Sequence, residues 1–169
     1  MLVHIFKFAA AVVLTHYLAC FIQTVLHARL GHHRSGGSMF RTHLRNHHAI
    51  YSRVFTAAHY IDEDQSLTAY YLLPIGICAA LAFWLLPLTL ALTVIATFLV
   101  SLAMHVYLHI EYHLKDSVWD KYGWFQRRQR LHRIHHELPN RNFGVIEFVW
   151  DRVLGTYSEE DLATEGEKI

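Results

Sequence analysis

Residues 65–110, QSLTAYYLLPIGICAALAFWLLPLTLALTVIATFLVSLAMHVYLHI, decide the fold, because these 46 residues contain no Asp, Glu, Lys or Arg. A membrane-spanning helix needs about 20 predominantly apolar residues, so the stretch is long enough for two spans. Pro87 lies between the halves, where a proline does least harm to a helix. We therefore predict a helical hairpin with spans at about residues 68–86 and 88–110. The alternative is a pair of core helices, but a chain of 169 residues could hardly cover both helices on all sides.

A further apolar run near the N-terminus predicts a third span at about residues 6–26. A signal peptide is the alternative, but its positive region would be Lys7 alone and no convincing small-residue cleavage site follows. Five arginines and no acidic residue lie in residues 27–53, and eight Lys or Arg lie in residues 113–152. Three spans place both segments on one side, which the positive-inside rule makes cytoplasmic. The expected location is a bacterial inner membrane.

Histidine is the outlier in the composition, with 15 residues, as many as Lys and Arg together. The formal net charge of +1 gives no reason to expect a nucleic-acid partner. Cys20 and Cys78 lie in separate apolar runs, which excludes a disulfide framework and a thiolate zinc site. We predict one domain over residues 1–158, followed by an acidic tail at residues 159–169.

Most of the histidines fall into four groups. The groups are His27 and His32; His43, His47 and His48; His105, His109 and His113; and His132, His135 and His136. Residues three or four apart share one face of a helix, so His43 and His47 are expected to point the same way, as are the members of the last two groups. Neutral imidazole binds Zn, Cu, Fe and Ni. About ten ligands at one predicted depth are too many for one ion and suit two.

These groups resemble the histidine boxes of the fatty acid hydroxylase and sterol desaturase superfamily, whose members are membrane enzymes with a non-haem di-iron centre. HARLGHH, HLRNHH, HIEYH and HRIHH occur in the order of that family's boxes. Residues 150–157, WDRVLGTY, are similar to the segment that follows the last box. The resemblance implies an all-α integral membrane protein with about three transmembrane helices and a cytoplasmic helical cap that holds a di-metal site.

The resemblance also implies the chemistry. Two Fe ions are the expected cofactors, with zinc as a substitute in purified protein, and O₂ is the co-substrate. The expected reaction hydroxylates a C–H bond of a lipid or other hydrophobic substrate, while desaturation and C–C cleavage on the same scaffold stay open. An external electron donor, such as a reductase, ferredoxin or cytochrome, is implied, and no separate catalytic side chain is assigned. The expected metal ligands are His27, His32, His43, His47, His48, His109, His113, His132, His135 and His136, with His105 as a possible additional ligand.

Residues near the boxes are expected to support the site. Glu137 and Asn142 are expected to orient histidines by accepting their second N–H. Asp151 and Arg152 are expected to hold the last segment in place through charge-assisted hydrogen bonds. Arginines on the segment of the fourth box face either an acidic electron carrier or phospholipid headgroups. They are Arg127, Arg128, Arg130 and Arg133.

Two other classes of membrane protein are less consistent with the sequence. A b-type cytochrome needs facing pairs of histidines within the spans, where only His16 and, at most, His105 lie. A metal transporter or sensor would need polar groups near the bilayer midplane, which the second and third spans lack.

Overall fold

The computed structural model describes residues 2–61 and 66–160, with side chains over 3–61 and 70–160. Within these ranges the regular structure is helical and contains no strand, which confirms the expected all-α class. The helices are α1 (Leu2–Leu26), α2 (Ser38–Phe40), α3 (His48–Tyr51), α4 (Ser66–Leu85), α5 (Leu88–Tyr112), α6 (Gly123–Glu137) and α7 (Val149–Leu154). Most of the acidic tail, residues 161–169, lies outside the described residues.

Helices α1, α4 and α5 pack against one another. Pro87 directly precedes the first turn of α5 and lies between α4 and α5. The 25 residues of α5 give it a length of about 37 Å, more than the roughly 30 Å of a bilayer's hydrocarbon core. Buried apolar side chains fill the space between the three helices. They are Ala19, Tyr71, Ile75, Phe98 and Leu102.

Within the part of the chain that the structure describes, two helical stretches are long and apolar enough to cross a membrane, Val3–Gly31 and Leu88–Tyr112. Tyr70–Leu85 forms a shorter apolar helix. Most side chains of the two long stretches are not buried, and large apolar residues such as Leu14 face outward at 70% exposure. A soluble protein rarely exposes so large an apolar surface, whereas lipid tails would cover it. The exposure argues against a buried core hairpin.

Two segments that carry histidines are π-helical, His27–Gly31 at the end of α1 and Arg41–His47. Hydrogen bonds in a π-helix join residues five apart, and such turns often occur at functional sites. His27 and His32 are five apart, as are His43 and His48. The π-helical turns therefore bring together residues that a regular α-helix would direct apart.

The C-terminal part of the chain packs around the ends of α1 and α5. A buried apolar cluster joins Cys20 of α1 and Tyr112 of α5 to Phe125 of α6. The indole Nε1–H of Trp150 donates to the carbonyl oxygen of Tyr17 at 2.8 Å and fastens α7 to α1. All the elements that carry the histidine boxes therefore meet at one end of the three long helices.

Candidate metal centre

Nine histidines form two groups, and within each group one nitrogen per ring lies within 4.8 Å of the others. The first group contains His27, His32, His43, His48 and His135. The second group contains His47, His113, His132 and His136. Every ring in both groups is buried except that of His32, which is half-buried. The groups combine residues from all four boxes.

The Nε2 atoms point toward one another inside each group. The Nε2–Nε2 distances include 2.7 Å for His27 and His43, 3.1 Å for His48 and His135, and 3.0 Å for His113 and His132. These are hydrogen-bond distances, so each pair needs a proton or a cation between its nitrogens.

Backbone carbonyls fix the tautomer of one ring in each pair. Nδ1 of His27 lies 2.7 Å from the carbonyl oxygen of Phe143, and Nδ1 of His135 lies 2.7 Å from the carbonyl oxygen of Arg141. Nδ1 of His113 lies 2.9 Å from the carbonyl oxygen of Phe55. A carbonyl oxygen only accepts, so Nδ1 carries the hydrogen and the Nε2 of a neutral ring presents a lone pair. This is the usual arrangement around a metal-ligating histidine. A cation between the Nε2 atoms fits both groups.

Burial keeps the rings neutral, which is the form that binds metal. Desolvation lowers the pKa of His113 from 6.5 to about 4. Desolvation, together with the neighbouring charges of His27 and His113, lowers the pKa of His48 to about 3. The pKa is lowered well below 6.5, again chiefly by burial, in His43, His47, His132, His135 and His136. At neutral pH these rings are lone-pair donors.

His109 lies beside the second group rather than within it. Its ring centroid is 4.7 Å from that of His47 and 4.8 Å from that of His132. His105 lies one helical turn further from the groups. It stacks on His109 at 6.2 Å and contacts the ring of Tyr71 edge-on at 5.2 Å.

The boxes do not divide between the groups as α-helical spacing predicts. His43 belongs to the first group with His48, whereas His47 belongs to the second. The π-helical turn explains this difference, because it places residues five apart on one side. In α6, His132 and His136 are four apart and enter the second group, while His135 turns toward the first. Each of these boxes therefore serves both groups.

The two groups adjoin through stacked rings. His48 and His136 stack with centroids 4.2 Å apart, and His43 and His47 stack at 5.1 Å. In each pair, one ring belongs to each group. The arrangement is a pair of neighbouring imidazole-rich sites rather than one large site.

A comparison with protein families agrees with this geometry. The model of the fatty acid hydroxylase family matches residues 12–156, most of the chain. The chain belongs to the fatty acid hydroxylase family. The resemblance seen in the sequence is thereby confirmed, and the protein belongs to an oxidoreductase family. No curated protein and no solved structure matches the chain significantly.

In this fatty acid hydroxylase family member, the described partners of Asn142 and Glu137 are groups other than the histidine rings. The side chain of Asn142 bonds to the backbone of Leu131 and Ser158, and the neighbouring carbonyl of Arg141 accepts from His135 instead. Glu137 lies 3.7 Å from Arg133 on the same helix.

Asp151 and Arg152 point in different directions. Asp151 is fully buried and accepts hydrogen bonds from two backbone amides and from Thr156. Burial raises the pKa of Asp151, although these bonds oppose the shift. Arg152 instead places its guanidinium 3.6 Å from the ring centroid of Tyr157. The two side chains therefore do not act as a pair.

The arginines of α6 contact groups of this chain. Arg127 lies 2.6 Å from Glu159, and Arg128 lies 2.9 Å from Glu147. Arg130 donates to the backbone carbonyl of Glu159 at 3.0 Å. Much of this basic charge is therefore balanced within the protein.

Sequence reasoning missed four contributors to the site. The carbonyl oxygens of Phe55 and Phe143 orient His113 and His27. Every residue has a backbone carbonyl, so the pattern of side chains does not show which carbonyls will bind a histidine. The ring of Tyr51 stacks on His113 with centroids 3.8 Å apart. Gly31 has no side chain, and a Cβ there would lie 3.1 Å from the Cδ2 atoms of both His27 and His43. The glycine before His32 was the one available signal of such close packing.

Proposed function

We propose that this protein is an O₂-dependent di-iron hydroxylase that oxidises a C–H bond of a lipid or other hydrophobic substrate. The observation that carries the proposal is the pair of adjoining, buried groups of neutral imidazoles. One metal site would use His27, His32, His43, His48 and His135. The other would use His47, His113, His132 and His136, with His109 beside them.

Iron is proposed because imidazole binds it well and because the family's name denotes hydroxylation. Zinc accepts the same ligands, so purified protein can contain it as a substitute. When bound, a pair of iron ions supplies the activation of O₂ that attack on an unactivated carbon requires. The chain's own residues orient the ligands, exclude water and position the substrate.

The overall reaction requires a further partner. Hydroxylation consumes the substrate, one O₂, two electrons and two protons, and yields the alcohol and one water. Imidazoles and backbone carbonyls do not supply electrons, so an external donor such as a reductase, ferredoxin or cytochrome must deliver them. The exposed side of α6 that carries Arg127 is a candidate surface for that donor or for phospholipid headgroups.

We further propose that α1, α4 and α5 are three transmembrane spans and that the histidine-bearing elements form a cap on the cytoplasmic side. The distribution of Lys and Arg supports this orientation, and a bacterial inner membrane fits it. The apolar outer surface of the helices lets a lipid-like substrate approach sideways from the bilayer. The histidine groups lie at the ends of α1 and α5, where the substrate would meet the metal.

Desaturation or C–C cleavage on the same scaffold is the nearest alternative. Both use the same ligands, so the geometry of the histidines does not distinguish them from hydroxylation. A haem protein is an alternative of another class. A porphyrin needs a wide planar gap between two axial imidazoles, whereas further imidazoles surround each pair here. The crowding of the rings argues against haem.

The test combines metal analysis with product analysis. The full chain is purified from membranes, and iron and zinc are measured per chain. It is then supplied with a reductase system, ¹⁸O₂ and membrane lipid extract. We expect two metal ions per chain and a product that gains one labelled oxygen. Loss of two hydrogens without oxygen gain would identify a desaturase, and a Soret band or protein without metal would overturn the di-iron proposal.

A further inference from the structure

A buried carboxylate bonds to the backbone that supports the first histidine group, and none of its described hydrogen bonds reaches a ring of that group. Asp151 of α7 has no exposed surface. Its oxygens accept from the backbone N–H of Phe143 at 2.7 Å, the backbone N–H of Gly144 at 2.8 Å and the hydroxyl of Thr156 at 2.7 Å. Burying a charged group is costly unless hydrogen bonds compensate it. These three bonds compensate the burial of Asp151, and the question is what a buried carboxylate does at this position.

The carboxylate holds a peptide that also binds a histidine. The N–H of Phe143 donates to Asp151, and the carbonyl oxygen of Phe143 accepts from Nδ1 of His27. Two residues earlier, the carbonyl oxygen of Arg141 accepts from Nδ1 of His135. We call residues 141–144 the carbonyl strip, because it orients both rings.

The end of α7 fixes the rest of the carbonyl strip. The backbone N–H of Asn142 donates to the carbonyl oxygen of Thr156 at 3.0 Å. The guanidinium of Arg141 donates to the carbonyl oxygen of Gly155 at 3.1 Å. Asp151 and Thr156 therefore hold the strip at several points, and the strip in turn holds His27 and His135.

Gly144 is the residue that lets the carboxylate approach so closely. A Cβ at this position would lie 2.8 Å from Oδ2 of Asp151 and 2.4 Å from the carbonyl oxygen of Glu147. Any other residue would have to push the carboxylate or the backbone away. The contact between Asp151 and the carbonyl strip therefore depends on two residues, the carboxylate of Asp151 and the missing side chain of Gly144.

The second histidine group has a different support. His113 donates through Nδ1 to the carbonyl oxygen of Phe55. That loop is held by backbone hydrogen bonds of Ala57 to His113 and Lys115, each 2.9 Å long. No hydrogen bond among the described residues joins Asp151 to this loop, whereas the carbonyl strip connects it to His27 and His135.

We infer that Asp151 is a positioning residue for the first metal site alone: through the carbonyl strip it fixes the rings of His27 and His135 with Nε2 toward the ion. The inference rests on the proposed function to the extent that the two groups bind metal. Partners that orient metal ligands change metal affinity by about 10–100-fold when they are removed. Loss of the carboxylate should therefore weaken one ion and leave the other unchanged.

The experiment titrates Zn²⁺ into metal-free full-length protein in detergent, with a competing chelator that resolves two binding steps. Asp151→Asn keeps the shape of the side chain but places an amide N–H₂ against a backbone N–H donor. We expect one dissociation constant to rise about 10–100-fold and the other to stay as in the parent protein. His27→Ala should abolish the same step, and His113→Ala should abolish the other one.

A second pair of variants keeps the test valid if Asp151→Asn does not fold. Thr156→Val removes one hydrogen bond to the carboxylate, and Thr156→Ser restores it. We expect the valine variant to weaken the first step and the serine variant to bind like the parent. Glu159→Gln, an exposed position on the same C-terminal segment, is the matched control and should change neither step.

The outcomes separate this inference from the proposed function. If the parent protein binds no Zn²⁺, the metal-centre proposal fails. If the parent binds two ions and Asp151→Asn binds both with unchanged affinity, the positioning role is overturned while the metal centre stands. Equal weakening of both steps would also overturn it, since Asp151 would then support the fold as a whole.

Discussion

The Nε2 atoms of His113 and His132 lie 3.0 Å apart, although the two rings come from different segments. The Nδ1–H of His113 is already donated to the carbonyl of Phe55, so its Nε2 lone pair faces the other ring. Both side chains are fully buried, and water is not available to relieve the contact. The pair needs a proton or a cation between its nitrogens, and the two further imidazoles of the group favour a metal ion.

Removing a single ring from either group should therefore disable the enzyme. We expect His132→Ala to lose the ion of the second group and His135→Ala the ion of the first. Each variant should lose at least about 100-fold in turnover, because removing a ligand should cost no less than removing one of its supporting partners. Turnover, bound metal and the membrane fraction are measured together.

The control for both variants is His59→Ala, because His59 is exposed and belongs to neither group. It should retain full turnover and two metal ions. Both ligand variants should remain in the membrane fraction, since α1, α4 and α5 are unchanged. Full activity in His135→Ala would exclude the first group as part of the active site.

Metal-free protein should lose stability as the pH falls below about 6.5. The pKa of His113 is lowered to about 4 by burial, and the pKa of His48 to about 3, so the unfolded chain binds protons that the folded chain rejects. Each such ring costs about 1.4 kcal/mol per pH unit between its unfolded and folded pKa values. The stability is fully present above pH 6.5 and declines toward pH 4.

Thermal unfolding of the metal-free protein in detergent, measured between about pH 7 and about pH 4, checks whether stability falls as the pH is lowered. The double variant His48→Gln with His113→Gln should show a shallower decline than the parent, because two of the titrating rings are gone. A midpoint temperature that stays constant from about pH 7 to about pH 5 would contradict the neutral, buried state of these rings.

The sequence predicted which histidines come together better than how they are divided between the two groups. All ten expected ligand histidines lie in or beside the two groups, because box spacing and residue chemistry are local properties. The division of His43 and His47 between the groups was not predictable, since HARLG and RTHLRNH carry no recognisable signal for a π-helix. Spacing alone therefore indicates which histidines lie together, but not which of the two groups each one joins.

The supports of the site were harder still to foresee. Asp151 and Arg152 were expected to hold the last segment through charge-assisted hydrogen bonds, but the sequence did not indicate that backbone amides of Phe143 and Gly144 donate to Asp151. Backbone donors and acceptors are present at almost every residue, so a sequence cannot show which of them a buried carboxylate will meet. That choice depends on how α7 packs against the carbonyl strip.

Gly31→Ala should weaken the first metal site without unfolding the protein. The added Cβ would lie 3.1 Å from the Cδ2 atoms of His27 and His43, so both rings must shift by a few tenths of an ångström. We expect about a tenfold loss of affinity for one ion, comparable to the loss of a supporting contact. Gly123→Ala is the matched control, because a Cβ there meets nothing within 4 Å. Equal Zn²⁺ affinities in the two variants would contradict the tight packing at Gly31.

His109 and His105 should differ in their effect on bound metal, although both lie on the same stripe of α5. The ring of His109 is 4.7 Å from His47 and 4.8 Å from His132, whereas among the histidines His105 has a described ring contact only with His109. We expect His109→Ala to weaken the ion of the second group and His105→Ala to keep two ions per chain. The number of metal ions bound per chain is measured for both variants. His105→Phe is the control, because it preserves the ring contact with Tyr71. Loss of an ion from His105→Phe would make His105 a ligand, because a phenyl ring fills the space of the imidazole but donates no lone pair.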